Sequence, residues 1–306
     1  MDSTNLVISD KLINLVGLAA QDLPSPALYV VGLPIGNFAD ISLRALWVLS
    51  HANVIAAEDT RETRKILDKF NITAELTAVH QHNEREGADK ILSYLEAGKM
   101  VAMVTDAGTP AVSDPGTKVV REVADAGYRV IPIPGASAVI TAISAAGMEP
   151  EGFIFYGFLN GGAQERKGTI KKLIDTHMTF VLYEAPHRII KLCEELTSCL
   201  KGHPSRRIVI ARELTKKFET IVASNSEELG NWAGKHKPQG EYVVIVNAQE
   251  KHSGIELDPV TEKWLNAFVG TMPPKSLAAT ASDITGLPKK MIYDYLLSLK
   301  STEPGE

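Results

Sequence analysis

The sequence predicts an α/β protein made of two consecutive α/β domains and a C-terminal helical extension. Three observations carry that expectation. The chain has 306 residues, about twice the length of a usual single domain. From Leu28 to Val246 short β-branched runs alternate with longer helical periodicities. Beyond Gly254 the β-type runs stop.

Residues 1–27, ending in Pro24-Ser25-Pro26, form a polar lead expected to be a loose segment or a short helix. The first domain is expected over 28–148, with strands at Leu28 to Val31, Val54 to Ala57, Leu76 to Val79, Val101 to Thr105 and Val130 to Ile133. Helical patterns at Leu43 to Ser50, Thr60 to Phe70, Glu84 to Ala97 and Thr117 to Ala126 separate them. Such alternation gives a mostly parallel sheet covered on both faces. The second domain, 149–250, follows Gly147-Met148-Glu149-Pro150. Its strands are expected near Phe153 to Phe158, Thr179 to Tyr183, Arg207 to Ala211, Thr220 to Ala223 and Tyr242 to Val246, with Arg207 to Ala223 an antiparallel excursion. Helices at Gln164 to Ile174, His187 to Leu200 and Ser226 to Lys235 lie between them. Region 251–306 carries three helical patterns, Pro259 to Val269, Lys275 to Thr285 and Lys289 to Lys300. The last two flank Thr285-Gly286-Leu287-Pro288, where a glycine ends one helix and a proline starts the next. This resembles a helix-turn-helix pair offering Lys275, Lys289, Lys290 and Lys300 to phosphate. A plain helical cap on the second domain fits the same pattern.

Composition narrows the class. Apolar residues are 44% and charged residues 23%, a balance that excludes disordered, collagen-like and disulfide-scaffold chains. The longest apolar stretches fall far short of a bilayer span, and the first twenty residues, carrying Asp2 and Asp10 with no basic start, do not read as a secretory signal. A cytoplasmic protein is expected. Cys193 and Cys199 are too few for a disulfide framework or a metal site, and no metal is expected. The net charge of −5 argues against a nucleic-acid partner, but its distribution weakens the objection: Asn160 to Glu219 holds twelve Lys or Arg against seven Asp or Glu, a local +5. Solvated helix faces would explain the same charges.

Three glycine- and proline-rich turns of the first domain follow expected strands, where open parallel sheets bind ligands. The first, Val31-Gly32-Leu33-Pro34-Ile35-Gly36-Asn37, is neither a dinucleotide fingerprint nor a P-loop. The second runs from Thr105 to Gly116 and is dense in turn formers, hydroxyls and carboxylates. The third, Pro132-Ile133-Pro134-Gly135-Ala136-Ser137-Ala138, leads a strand into a helix whose amides are either held by Ser137 or left for a ligand. One such turn is only a turn; three at strand ends point to a pocket.

These turns, with Asp40-Ile41-Ser42-Leu43-Arg44-Ala45, Glu58-Asp59-Thr60-Arg61 and Ala211-Arg212-Glu213-Leu214-Thr215-Lys216, resemble the tetrapyrrole methylase superfamily. Within it they are similar to the small-subunit ribosomal RNA cytidine 2′-O-methyltransferase family, the ribosomal RNA small subunit methyltransferase I group. The resemblance runs from Leu28 to Val246 and into the C-terminal helices, and the order of motifs makes it specific. It implies S-adenosylmethionine in a cleft between the two domains, a homodimer, and methylation of a cytidine ribose in the decoding region of small-subunit ribosomal RNA, free or in an assembled subunit. It also implies cofactor contacts at Leu33 and Pro34, at Asp106, Ala107, Gly108 and Thr109, and at Ser137 and Ala138. Further contacts are expected at Tyr183, Glu184, Leu214, Pro238 and Gly240 in the second domain. Leu33 departs from the family, which more often has threonine there; a hydroxyl contact would be lost.

Methyl transfer to a hydroxyl is an in-line displacement accelerated chiefly by positioning, with a general base adding roughly 10² to 10⁴. Candidate bases are Glu58, Asp59, His80, His82, Glu84 and Asp114, with Glu58 and Asp59 preferred for their place at a strand end. A helix cap with a surface ion pair explains Glu58-Asp59-Thr60-Arg61 equally well. Arg61, Arg188, Arg212, Lys275, Lys289 and Lys290 are the expected RNA contacts. Two competing readings stand beside this one: a superfamily enzyme whose acceptor is a porphyrinoid or a protein side chain, and a non-catalytic RNA-binding factor that keeps the fold.

Overall fold

The computed structural model describes residues 10–81, 83–148, 152–203, 205–235, 237–248 and 257–300. His82, Glu149, Pro150 and the side chain of Lys300 lie outside that description. The chain divides into two units, Met1–Ala248 and Gln249–Glu306.

The first unit contains two five-stranded sheets. Strands β1 (Ala27–Val31), β2 (Val54–Ala57), β3 (Glu75–Ala78), β4 (Met100–Val104) and β5 (Arg129–Ile133) pair in the order β3-β2-β4-β1-β5, all parallel. Every residue of β2 and β4 is buried, as a sheet covered on both faces requires. Helices α2 (Leu43–His51) and α3 (Thr60–Lys69) bury Leu46, Leu49 and Leu67 against Tyr29, Val31 and Ile55 on one face. Helices α4 (Glu84–Glu96) and α5 (Thr117–Asp125) bury Ile91, Leu95, Val119 and Val123 against Leu28, Val101 and Met103 on the other. That division is what right-handed crossovers produce when the chain winds first one way and then the other from β1. The described part of the polar lead is packed from residue 10 on: after α1 (Asp10–Leu15), Leu18 is buried, and the Tyr29 hydroxyl donates to the Pro24 carbonyl at 2.9 Å.

In the second sheet β6 (Phe153–Phe158), β7 (Thr179–Glu184), β8 (Arg207–Arg212), β9 (Thr220–Asn225) and β10 (Tyr242–Val246) take the order β6-β7-β10-β8-β9. Only β6 and β7 are parallel; β10 inserts between β7 and β8 and is antiparallel to both, and β8 is antiparallel to β9. Helices α7 (Ala163–Asp175), α8 (Ile189–Cys199) and α9 (Leu229–Lys235) cover one face over Phe180, Leu182, Ile208 and Val244. Helix α6 (Ala138–Ala145), which follows β5, covers the other, with Val139 and Ala142 packed on Val181, Val209 and Val243. A helix from the first half thus fixes the second sheet against the first.

The second unit is helical among its described residues: α10 (Pro259–Phe268), α11 (Pro274–Thr285) and α12 (Lys289–Lys300). Asp258 caps α10 by accepting the Val260 and Thr261 amides at 3.1 and 3.0 Å. Gly286, at φ 73°, ends α11 in the left-handed conformation a C-cap needs. Leu265, Leu277, Ala281, Ile292 and Leu296 form its core. No helix among the described residues is long and apolar enough to cross a membrane.

Candidate active site

Because β4, β1 and β5 are neighbours, the three turns that follow them meet at one edge. They interlock through backbone. Leu33 donates its amide to the Gly108 carbonyl at 2.8 Å, and Gly108 donates back at 3.1 Å. A Cβ on Gly135 would stand 2.7 Å from the backbone of Gly32, so both positions need glycine for close approach. Thr109 Oγ1 lies 3.5 Å from the Ala136 carbonyl, its acceptor, at the limit of a hydrogen bond. Glu58, after β2, adds the fourth strand end, and the Asp59 amide donates to Asp106 Oδ1 at 3.1 Å.

Facing this edge, the carboxyl ends of β7 and β8 meet the start of antiparallel β10: Tyr242 is in register with both Glu184 and Arg212. Between the two edges lies a cleft of about 410 Å³, within the range of small-molecule sites. Of the expected cofactor residues, Asp106, Ala107, Gly108, Thr109, Ser137, Ala138, Tyr183, Glu184 and Leu214 line it. Leu33 and Pro34 stand behind the lining; the Leu33 side chain is buried in the core and its backbone is taken by Gly108, so leucine in place of threonine costs the cleft no wall. Pro238 and Gly240 are outside the lining, although Gly240 packs on Glu213, which is in it. Ser137 begins α6 without a capping side-chain bond; the Val139 amide is engaged by the Tyr183 hydroxyl, which leaves the Ala138 amide at the helix start facing the cleft.

Glu184 has a second occupation. Its carboxylate is buried and accepts from Arg166 Nη2 at 2.9 Å, Arg188 Nε at 2.6 Å and the Ala185 amide at 3.0 Å, while Arg166 Nε also donates to Glu195 at 2.9 Å. Arg166, Glu184 and Glu195 are each no more than 3% exposed, so this ion network stands behind the second wall of the cleft. Residues that the sequence reading did not single out complete the lining, among them Ile35, Phe158, Lys216 and Glu241. Lys216 is salt-bridged to Glu213 at 2.9 Å and Glu241 at 3.1 Å; its place in the Ala211 to Lys216 motif was the available signal. Phe158 and Phe155 stack edge-on against Tyr183 at 5.5 and 4.9 Å.

The candidate bases separate clearly. Asp59 accepts from the Arg61 side chain at 2.7 Å and caps α3 through the Arg61 amide at 2.8 Å, which holds its carboxyl down at about 2 and leaves a poor proton acceptor. Glu58 faces the cleft, raised by burial and then by Asp106. Glu84 is spent on the Gly116 amide at 2.7 Å. His80 is not among the lining residues. Asp114 lines the cleft; burial, then Glu58, Asp106 and Glu241, push it up to about 7. Among the described residues no group of three His, Cys, Asp or Glu is arranged to hold a metal.

Of the twelve cations in the basic stretch, Arg166 and Arg206 are buried and Arg188 and Lys216 are tied to carboxylates. Arg212 is half-buried, its Nε without a hydrogen-bond partner. Arg61, Lys275, Lys289 and Lys290 are exposed.

Two α/β sheets meeting strand end to strand end around such a cleft make a two-domain α/β ligand-binding architecture. The family model for "Tetrapyrrole (Corrin/Porphyrin) Methylases" matches residues 27–230, and that for the "RsmI C-terminal HTH domain" matches 255–300. Ribosomal RNA small subunit methyltransferase I of Neisseria meningitidis serogroup B is 42% identical over 92% of this chain and 97% of its own length. The Pseudomonas aeruginosa protein of the same name is 41% identical over 88% of this chain and 96% of its own. Among solved structures, diphthine synthase aligns with a TM-score of 0.57 at 16% identity, covering 72% of this chain and 90% of that one. A Thermus thermophilus uroporphyrin-III C-methyltransferase complexed with S-adenyl homocysteine aligns at 0.52 and 19% identity, covering 72% and 97%. The chain belongs to the ribosomal RNA small subunit methyltransferase I family of the tetrapyrrole methylases.

Proposed function

We propose that this protein uses S-adenosylmethionine to methylate the 2′-hydroxyl of a cytidine ribose in the decoding region of small-subunit ribosomal RNA, acting as a cytoplasmic homodimer. The observation that carries this reading is the family relationship over about nine-tenths of the chain, at 42% identity, together with a cleft framed by the family's own turns.

The cleft suits the cofactor. Ile35, Ala138, Leu214 and Val243 offer apolar walls to an adenine, and the Ala138 amide at the start of α6 offers a donor to a carboxylate. Glu58 and Asp106 put negative charge where a sulfonium and an ammonium would be favoured. When bound, the cofactor supplies an electrophilic methyl group. The chain's residues then hold an acceptor oxygen in line and keep bulk water away. Glu58 lines the cleft, while Asp59 holds the Arg61 side chain. Arg61, Arg188 and Arg212, with Lys275, Lys289 and Lys290 on the helical unit, supply the positive charge for RNA phosphate.

The test compares naked small-subunit RNA with assembled small subunits as methyl acceptors and maps the product by mass spectrometry of nucleosides. A 2′-O-methylcytidine product is expected; methylation of a base, or titration showing no cofactor binding, would overturn the reading. Light scattering should give twice the chain mass of 33.2 kDa.

A further inference from the structure

Asp114 occupies the tip of a loop built with unusual care. Ala111 and Ser113 both adopt left-handed backbone, at φ 66° and 63°, a region that non-glycine residues avoid. The loop is pinned at both ends, by the reciprocal Leu33–Gly108 bonds and by the Gly116 amide on the buried Glu84 carboxylate. Between them Ala111 donates to the Pro115 carbonyl at 3.1 Å. At the tip Ser113 presses into the second sheet: a Cβ on Gly157, in the β6 bulge, would stand 2.6 Å from Ser113 Oγ. Strain of this sort lowers folding stability and persists where it positions a functional group.

The group so positioned is a carboxyl among carboxyls. Glu58 faces it from the end of β2, Asp106 from the start of its own loop and Glu241 from the entry to β10; the Tyr183 hydroxyl approaches from β7. The cation in the cleft lining, Lys216, is already held by Glu213 and Glu241. Asp59 and Glu84 are committed to other partners, and Asp106 accepts the Asp59 amide. Among the described residues no hydrogen bond or ion pair competes for Asp114, which opens on the cleft.

We propose that Asp114 takes the proton from the acceptor hydroxyl. This rests on the reading that the acceptor is a ribose hydroxyl. The acceptor oxygen forms its bond to the methyl carbon as that carbon's bond to sulfur breaks, the electron pair staying with sulfur. The hydroxyl proton passes to a carboxylate oxygen of Asp114, and solvent then removes it. A proton acceptor works best when its affinity for the proton lies near the working pH, and burial first, then the surrounding carboxyls, raise that affinity. Glu58 is therefore a positioning residue in this step, acting through the charge it places beside Asp114.

The test uses full-length Asp114→Asn. Single-turnover methylation of assembled subunits should fall by roughly 10²- to 10⁴-fold, with cofactor affinity by titration essentially unchanged. The wild-type rate should rise with pH through a midpoint near 7, and the variant should lose that midpoint and climb steadily as the hydroxyl ionises by itself. A variant that keeps the midpoint, or whose affinity falls in step with its rate, would overturn the proposal. A second readout needs no substrate. Because the folded carboxyl binds its proton more tightly than the unfolded one, the wild-type apoprotein should lose stability as pH rises from the ordinary carboxylate range to about 7. Asp114→Asn should remove that loss, melting higher than wild type at pH 8 and alike at pH 4; equal melting at both would overturn it. A wild type that makes no ribose product would instead sink the parent reading, with the melting comparison still reporting on Asp114.

Discussion

The two walls of the cleft are built by different physics. The first is backbone: three turns from adjacent parallel strands, locked by the Leu33–Gly108 bridge and by the approach of Gly32 to Gly135. The second is side chain: a mixed sheet whose rim is backed by the buried Arg166, Glu184 and Glu195. A parallel sheet delivers every strand's carboxyl end to one edge, so short turns suffice to build a site there. A mixed sheet delivers both kinds of strand end to each edge, and charges hold what topology does not.

The largest expected effect breaks the second wall. Arg166→Met leaves buried Glu195 without its ion-pair partner and Glu184 with Arg188 alone, at a cost of roughly 3 to 5 kcal/mol, read as a fall in the urea midpoint. Arg166→Met combined with Glu184→Gln and Glu195→Gln should recover most of that loss, because the unpaired charge is what is expensive. If the triple variant is no better than the single, the network works by packing and the contrast between the walls fails.

Next is the first wall. Gly135→Ala places a methyl 2.7 Å from the Gly32 backbone, and the forced shift should cost about 1 to 3 kcal/mol and weaken cofactor binding by titration. Gly168→Ala in α7, with nothing within 4 Å of the added carbon, is the control and should stabilise by up to about 1 kcal/mol. Equal effects of the two would mean that the turns are not interlocked.

The same contrast explains how much was legible in the sequence. Strands Val54–Ala57 and Tyr242–Val246 were readable to the residue, since apolar runs bounded by turn formers leave little choice. The three turns were readable too, because the parallel-sheet rule needs only that a turn follow a strand. The order β3-β2-β4-β1-β5 that brings them together was not, since pairing is set by long-range packing. On the second wall the rule gives no help: Glu241 enters the cleft because β10 runs antiparallel to β7 and β8, a fact no local pattern encodes. Glu184 was readable as a strand-end residue but not as the acceptor for two arginines, one of them eighteen positions away in sequence. The basic stretch misled in the same way, because a charge count cannot tell a surface arginine from Arg166 or Arg206.

A smaller effect, confined to the first wall, comes from Asp106→Ala. It removes a carboxylate from the lining and the acceptor of the Asp59 amide. Losing one charge-assisted contact should weaken cofactor binding by roughly 10- to 150-fold, on the order of 1.5 to 3 kcal/mol, with little change in melting temperature. Unchanged affinity would take Asp106 out of the site and leave the first wall to bind through backbone alone.

The smallest effect on the fold, and the one that reaches beyond both walls, concerns the helical unit. Lys275, Lys289 and Lys290 are exposed at the starts of α11 and α12, so replacing all three by glutamine should change stability by no more than about 0.5 kcal/mol per site. Neither wall contains them, so cofactor affinity should stay at the wild-type value. If each meets one phosphate of single-stranded RNA, the slope of log affinity against log salt should flatten by about 0.7 per contact, or about 2 in all. The acidic remainder of the chain makes this informative: a net charge of −5 repels RNA wherever no local cation offsets it, so loss of a few well-placed lysines should lower affinity across all RNA sequences alike. Arg188 is a poor substitute in this experiment, since removing it also takes a partner from buried Glu184. A triple variant with the wild-type salt slope would assign these lysines to solvent and leave phosphate recognition to Arg61, Arg212 and the exposed lysines of the second α/β domain.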